Sequence, residues 1–296
     1  MEQRHGPITT HKEIELRSPT LIAAFRGWND AGDAASFAAT HLSRAWGAEK
    51  VASIDPEDFY DFQAVRPQVR LNDGLTRQIS WPANEFWAAR NESLEHDVLL
   101  LVGTEPNLRW RAFSELIIDK ARSFGVELVI TFGALLADVA HSRSVPITGT
   151  AADRALIAKL GLTRSRYEGP TGIVGVLNDA FGRTGVDSAS LWAAVPHYIA
   201  VTPNPKAALA LINKASQLIG IPVETSDLER ASVTYEQKVS EMVAADEDVE
   251  AYVKLLEERS DESALEEIDP SRLPSGDALA AELERYLRDK EEDQGG

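Results

Sequence analysis

The chain has 296 residues, 44% of them hydrophobic, and no cysteine. This length suits one large α/β domain or two smaller ones. The lack of cysteine excludes disulfides, cysteine nucleophiles and thiolate metal sites. A formal net charge of −17 argues against nucleic-acid or membrane partners, since both are anionic. With neither a signal-peptide core near the N-terminus nor a membrane-length apolar run, we expect a cytoplasmic protein.

Short apolar runs alternate with helical patterns along the first 220 residues. These runs predict buried strands because they are short and apolar and several end at glycine or proline. They are residues 21–25, 51–54, 97–102, 126–132 and 190–195. The helical patterns cover residues 31–46, 109–124, 151–160, 171–183 and 205–219. This alternation predicts an α/β fold whose sheet is mostly parallel and covered by helices on both faces.

The character of the sequence changes after residue 225. Ser226 and Glu229 have the spacing of a capping box, and an apolar stripe follows at intervals of three and four residues. Further helices are expected after Asp246 and from Asp277. Because the stripes are narrow, these helices must pack on the α/β body or on another subunit. We therefore expect an α/β/α domain over 1–225, an acidic helical region over 226–290 and a disordered tail over 291–296.

The first candidate site is the strand-to-helix junction at residues 26–33. In α/β proteins, ligands and partners meet the sheet at such junctions. Asn29 or Asp30 can cap the following helix, with Asp33 as the reciprocal partner. Alternatively, these side chains bind a cation, an amine or a hydroxyl compound, because carboxylates compete with phosphate at a helix start. Trp28 suits either the core or a partner contact.

Two further candidate clusters place charged residues after predicted strands. Asp61 and Arg66 either pair within a loop or contribute to an interface, where Tyr and Arg are enriched. Glu105 can act as a general acid or base, and Arg109 can bind an anion. Equally, the segment around Glu105 can be a plain turn that begins a helix.

The remaining candidates are loop residues in the second half of the chain. His141 lies beside Ser142 and Arg143, but the spacing matches no hydrolase elbow, so an ordinary loop histidine is favoured. Tyr167 and Glu168 precede glycines that open a helix, where an anion can bind, although neither Rossmann nor P-loop spacing is present. The histidines lack metal-ligand spacing, so we expect no metal and no cofactor, with an all-carboxylate magnesium site left open.

Several of these patches, in one order, resemble the proteasome assembly chaperone 2 family in its actinobacterial branch. The resemblance rests on GWNDAGD at 27–33, DFYD at 58–61, GTEPN at 103–107, YEGPTG at 167–172, PHY at 196–198 and PNP at 203–205. Arg66 and Pro67 extend the second patch. The resemblance implies a three-layer α/β/α sandwich, like that of purine nucleoside phosphorylases and related hydrolases, with a C-terminal helical extension.

The resemblance also implies a homo-oligomer, with a trimer as the expected form, and proteasome subunits as possible partners. No catalytic residues carry over from it, so whether the protein is an enzyme stays open. The first hypothesis is a non-enzymatic assembly chaperone or scaffold. The alternative is a small-molecule binder or a hydrolase- or phosphorylase-like enzyme, with a pocket near Asp30, Glu105, His141 and Glu168.

Overall fold

A computed structural model describes residues 3–72, 76–90, 96–151, 157–158 and 167–265. The described strands are β1 (Gln3–His5), β2 (Ile8–Thr10), β3 (Thr20–Arg26), β4 (Glu49–Ile54), β5 (Gln68–Asn72), β6 (Thr76–Ser80), β7 (Asn84–Ala89), β8 (Val98–Thr104), β9 (Leu128–Ala137), β10 (Ile147–Ala151) and β11 (Asp187–Pro196). The helices are α1 (Ala34–Ala45), α2 (Trp110–Ser123), α3 (Ile173–Gly182), α4 (Pro205–Ile219), α5 (Ser226–Val243) and α6 (Glu247–Leu265).

Nine of these strands form one sheet in the order β1-β2-β4-β7-β8-β3-β9-β11-β10, and β5 and β6 form a separate two-stranded sheet. The four adjacent strands β8, β3, β9 and β11 are parallel. All other neighbours in the large sheet are antiparallel. The prediction of a mostly parallel sheet is therefore wrong for the described residues. The antiparallel flanks arise because β7 leads directly into β8, and β9 directly into β10, without a crossover helix that would return the chain in the same direction.

Helices cover both faces of the central sheet. Successive side chains of a strand point to opposite faces, and β3 shows this clearly. Ile22 and Ala24 pack in a core with α1 and α4, whereas Leu21 and Phe25 pack in a second core with α2 and α3. The predicted three-layer α/β/α sandwich is confirmed.

The predicted helix from Pro205 has the bounds and caps that its sequence indicates. The Asn204 side chain accepts a hydrogen bond from the Ala207 N–H at 2.9 Å, and Pro205 occupies the first turn. Gly220 ends the helix in the left-handed conformation, with φ of 70°. These local signals determine the helix because each satisfies or removes a terminal backbone donor or permits a positive φ.

The C-terminal helices α5 and α6 pack on the body of their own chain. Leu228 of α5 joins the core that contains α1 and α4. Tyr235, Val239 and Val253 form a smaller core that also contacts Tyr198. None of the described helices combines the length and apolar character that crossing a bilayer requires.

Some predictions for the helices and the tail differ from the structure or concern residues outside the described ranges. The N-cap of α5 is Thr225 rather than Ser226, and the Thr225 hydroxyl donates to the Glu229 carboxylate at 2.8 Å, so the predicted capping box is wrong. Ala151 is the last residue of β10, and most of the predicted helix at 151–160 lies outside the described residues. The helix expected from Asp277 and the tail at 291–296 also lie outside them.

Candidate functional site

The Glu105 carboxylate joins three segments at the carboxyl ends of the central strands. Its Oε1 atom accepts hydrogen bonds from the Ile173 N–H at 2.8 Å and from Asn29 Nδ2 at 3.2 Å. Its Oε2 atom accepts one from the Trp28 N–H at 3.1 Å. Both oxygens are thus occupied by N–H donors, so Glu105 holds the turn after β3 against the start of α3. This contact pattern is structural and leaves Glu105 poorly placed to act as a general base.

Glycines allow the segments around Glu105 to approach so closely. A Cβ atom on Gly172 would lie 1.9 Å from Asn29 Nδ2 and 2.6 Å from Glu105 Oε1. Gly27 has φ of 137°, and its Cβ would lie 2.9 Å from that of Glu105. A side chain at either position would separate the groups that the carboxylate joins. Gly27 and Gly172 are therefore explained by close packing rather than by phosphate binding.

A second set of contacts fixes the loop at residues 58–61 to the turn after β8. The N–H groups of Asn107 and Leu108 donate to the Phe59 carbonyl at 2.9 and 3.1 Å. The Asp61 N–H donates to Asn107 Oδ1 at 3.1 Å, and the Tyr60 hydroxyl donates to the Thr104 carbonyl. Burial raises the pKa of Tyr60 above its ordinary range, so this hydroxyl stays protonated as a donor.

The charged residues of this region pair differently from the prediction. Asp61 accepts a hydrogen bond from the Gln63 N–H at 2.8 Å, and in the described structure it forms no ion pair with Arg66. Arg109 instead pairs with Asp58 at 2.8 Å, and its guanidinium lies 5.9 Å from the centre of the Phe59 ring. Arg109 is therefore occupied by its own chain rather than presented as an open anion site.

Asp30 caps helix α1, as one of the alternatives predicted. Its Oδ1 atom accepts hydrogen bonds from the N–H groups of Ala35 at 2.7 Å and Ser36 at 3.1 Å. Asp33 is exposed, adopts φ of 52° and makes no side-chain cap, so the predicted reciprocal contact is absent. Asp30 itself is buried, and its Oδ2 atom has no hydrogen-bond partner. Burial raises the pKa of this carboxyl group.

Replacing Asp30 with asparagine tests this burial through pH. Asparagine keeps an oxygen for the two N–H groups but has no ionisable proton. A carboxyl group with a raised pKa in the folded chain loses stabilising free energy as pH rises from its ordinary value of about 4 through the raised value. We therefore expect the stability of the wild type, relative to Asp30→Asn, to increase as pH falls towards 4. Urea unfolding of both proteins at several pH values measures the difference in their free energies of unfolding. A difference that does not vary with pH contradicts the prediction.

Five large apolar side chains are exposed at this end of the sheet, and we define them as the strand-end face. Trp28 follows β3, Leu108 follows β8 and Tyr167 precedes α3. The other two, Leu135 and Leu136, are among the last three residues of β9. Trp28 is the most exposed, at 65%. The Asn29 carbonyl accepts from the Ala134 N–H at 2.8 Å, which joins the end of β9 to the Glu105 network. The three leucines were not predicted; their signal is an apolar residue at or beyond a strand end.

The other predicted loop residues lie in two different places. Glu168 is exposed beside Tyr167, whose hydroxyl donates to the Pro170 carbonyl at 2.9 Å. Arg143 forms a bidentate pair with Asp261 of α6, with both N–O distances 2.8 Å. Arg143 therefore fixes a C-terminal helix to the body and is not joined to Glu105 by the described contacts.

His141 also connects the body to the C-terminal helices. The His141 side chain is buried, and its Nε2 atom lies 3.0 Å from Ser240 Oγ on α5. The backbone N–H of His141 donates to the Tyr198 hydroxyl at 2.8 Å. The Lys206 ammonium group donates to the His141 carbonyl at 2.6 Å and pairs with Glu236. The described contacts thus place His141 against α5 and favour the interpretation of a structural histidine.

The attachment of α5 should weaken in mild acid. Burial lowers the pKa of His141, while nearby Glu236 and Glu257 oppose this change and Lys206 adds to it. A histidine with a lowered pKa when folded contributes stability that is lost as pH falls below its ordinary value of about 6.5. We expect faster amide exchange in α5 at pH 5.5 than at 7.5, after correction for intrinsic rates, and loss of this dependence in His141→Asn. Equal protection of α5 at both pH values contradicts it.

The described residues contain no group of three or more histidine, aspartate and glutamate side chains suited to hold a metal ion. What they do contain is a three-layer α/β/α sandwich with a helical extension and an apolar face over the strand ends. These features define a protein of the three-layer α/β/α class.

Comparison with known proteins gives the family. The family model of the PAC2 family matches residues 24–243, and the chain belongs to this family. A PAC2 family protein from Streptomyces avermitilis is 44% identical, covers 79% of this chain and 99% of its own, and superimposes with a TM-score of 0.75. A proteasome-assembly chaperone homologue from Mycobacterium tuberculosis is 41% identical over 79% and 99% of the two chains, with a TM-score of 0.73. The actinobacterial resemblance is confirmed.

A more distant structure shares the fold. PbaB from Pyrococcus furiosus, described as an archaeal proteasome activator, is 19% identical, covers 79% of this chain and 97% of its own, and has a TM-score of 0.66. No curated protein matches this chain at a significant level.

Proposed function

We propose that this protein is a non-enzymatic assembly chaperone or scaffold that binds proteasome subunits through the strand-end face. Membership of the PAC2 family, together with proteasome-assembly chaperone homologues among its relatives, supports a chaperone or scaffold role. Binding through the strand-end face is supported by one observation: this exposed apolar face lies on backbone that the Glu105 hydrogen bonds hold in place. Trp28 is 65% exposed while its own N–H is held by Glu105.

The polar network and the apolar face have different roles in this proposal. In the network, the candidate catalytic groups hold the backbone in place. Glu105 accepts hydrogen bonds from three N–H groups, and Asp30 caps a helix. Fixing the backbone in advance lowers the entropy cost of binding. Exposed tryptophan, tyrosine and leucine side chains then supply the contact area, with tryptophan and tyrosine among the residues enriched at binding hot spots. The arrangement suits a partner surface with apolar pockets.

Self-association and location are part of the same proposal. We expect a homo-oligomer, with a trimer as its form, acting in the cytoplasm where proteasome subunits are made. Purified full-length protein titrated with purified proteasome subunits tests the partner directly by calorimetry. The proposal requires saturable binding to unassembled subunits. Heat changes no larger than those of dilution, for every subunit and for the assembled particle, would rule it out.

One observation favours a second candidate function, the binding of an amine- or nucleoside-like small molecule near Asp30. The Oδ2 atom of Asp30 is buried without a hydrogen-bond partner, and such an atom gains from a donor that a ligand brings. A thermal-shift screen of amines and nucleosides tests it, because a ligand that binds the folded state raises the melting temperature. A shift in the wild type that is lost in Asp30→Asn supports this function. No shift at millimolar concentration counts against it.

A further inference from the structure

Strands β5 and β6 form an arm that is separate from the large sheet. They pair only with each other in the described structure, in register Val69 with Ile79 and Leu71 with Arg77. Residues 68–71 and 76–80 are exposed, although part of the arm borders a pocket shared with residues 53–57 of the body. A two-stranded hairpin alone is only marginally stable in water. The arm therefore has the properties of an element that becomes covered.

One face of the arm is apolar and basic. Alternation along the strands and the cross-strand register place Val69, Leu71, Ile79 and Arg77 on the same face. The three apolar side chains are each more than half exposed, at 58%, 61% and 55%. Such a contiguous apolar face on a surface element indicates an interaction site.

The same chain carries a groove whose lining is acidic overall, since its one lysine, Lys206, pairs with Glu236 and leaves two further glutamates. Helices α4 and α5 border a groove of about 700 Å³. Glu229, Val233, Gln237 and Glu241 form one exposed row along α5, because they follow each other at intervals of four residues. Leu209 of α4 lines the groove with them. An acidic row with apolar side chains suits the apolar, arginine-bearing face of the arm.

We propose that the arm of one copy binds the α4–α5 groove of the next copy, head to tail. This inference rests on the self-association proposed above and identifies the surfaces that carry it. The occupant is a second copy because arm and groove of one chain complement each other in charge and in apolar character. Complementary charges across an interface also fix its register. Since the two surfaces differ, the contact is heterologous and forms a ring when the rotation closes.

Two variants of the full-length chain separate the halves of this contact. The arm variant is Leu71→Ser with Arg77→Glu, and the groove variant is Val233→Ser with Glu241→Arg; all four positions are exposed. A matched control is Lys238→Glu, an exposed charge reversal on α5 outside the groove lining. Melting temperatures first establish that each variant folds. Sedimentation velocity over a concentration series then gives the oligomeric state.

Each variant alone should associate at least about tenfold more weakly than the wild type, because a like-charge contact replaces an attractive one. The control should associate as the wild type does. Mixing the two variants in equal amounts should restore association above that of either variant alone. The intact arm of the groove variant then meets the intact groove of the arm variant, and the two reversed charges attract each other where the altered arm meets the altered groove. This recovery on mixing is the distinctive result of a head-to-tail contact.

Three results would overturn the inference in distinguishable ways. A wild-type oligomer that neither variant disturbs shows that copies associate through other surfaces, and the proposed self-association stands. Loss of association in the arm variant alone indicates an arm-to-arm contact. A wild type that stays monomeric at every concentration removes the self-association as well. The binding of proteasome subunits is measured separately, so its failure is not confused with any of these.

Discussion

Replacing Trp28 with alanine should weaken binding to a proteasome subunit by about 2 kcal/mol or more, roughly 30-fold, as expected for a central aromatic contact. The folded chain should lose little stability, because the Trp28 side chain is 65% exposed. The backbone N–H, which Glu105 holds, is unchanged in the variant. The effect therefore isolates the contact from the framework that positions it.

Calorimetric titration of the wild type and Trp28→Ala with the same subunit measures this loss. Met242→Ala is a suitable control, because Met242 is also a large apolar residue, 49% exposed, but lies on α5 away from the strand ends. Its affinity should match that of the wild type. Equal affinities for Trp28→Ala and the wild type would show that the partner binds elsewhere.

Replacing Glu105 with alanine should lower the free energy of unfolding by about 4 kcal/mol, because two buried donors lose their acceptor at about 1–3 kcal/mol each. These donors are the Ile173 N–H and Asn29 Nδ2, and both residues are almost fully buried. The Trp28 N–H also loses its acceptor but is accessible to water. The turn after β3 should separate from α3 as a result.

Urea unfolding of the two proteins gives this difference. Glu105→Gln keeps one acceptor oxygen and the side-chain volume but loses the negative charge and the second acceptor. Its free energy of unfolding should therefore fall by about half as much as that of Glu105→Ala. Glu168→Ala serves as the exposed control and should be neutral. A change below about 0.5 kcal/mol for Glu105→Ala, the size of an ordinary surface substitution, would show that the carboxylate is dispensable.

The central strands and the main helices could be predicted because their signals are local. Strand β3 is a continuous apolar run, and α4 has an N-cap asparagine, a first-turn proline and a terminal glycine. The antiparallel flanks could not be predicted in the same way. Strand β7 begins with Asn84 and Glu85 and depends for its place on pairing with β8, which is a long-range contact.

The candidate site was predicted in part for the same reason. The sequence places Trp28, Asp30 and Glu105 just after predicted strands. Because parallel strands end at the same edge of the sheet, these residues are expected to lie at one edge. That Glu105 accepts from Ile173 depends on how α3 packs, which no local pattern contains. Likewise, His141 contacts Ser240, 99 residues away, only because α5 returns to the body.

Photo-cross-linking from position 28 of the full-length protein is the most direct test of the strand-end face as a docking surface. A photoreactive phenylalanine analogue replaces Trp28, or Met242 as the control, and the protein is irradiated in cell extract that contains the proteasome. Mass spectrometry then identifies the proteins joined to each position. Our account predicts proteasome subunits joined to position 28 and absent from position 242. Adducts at position 242 alone, or none at position 28, would contradict it.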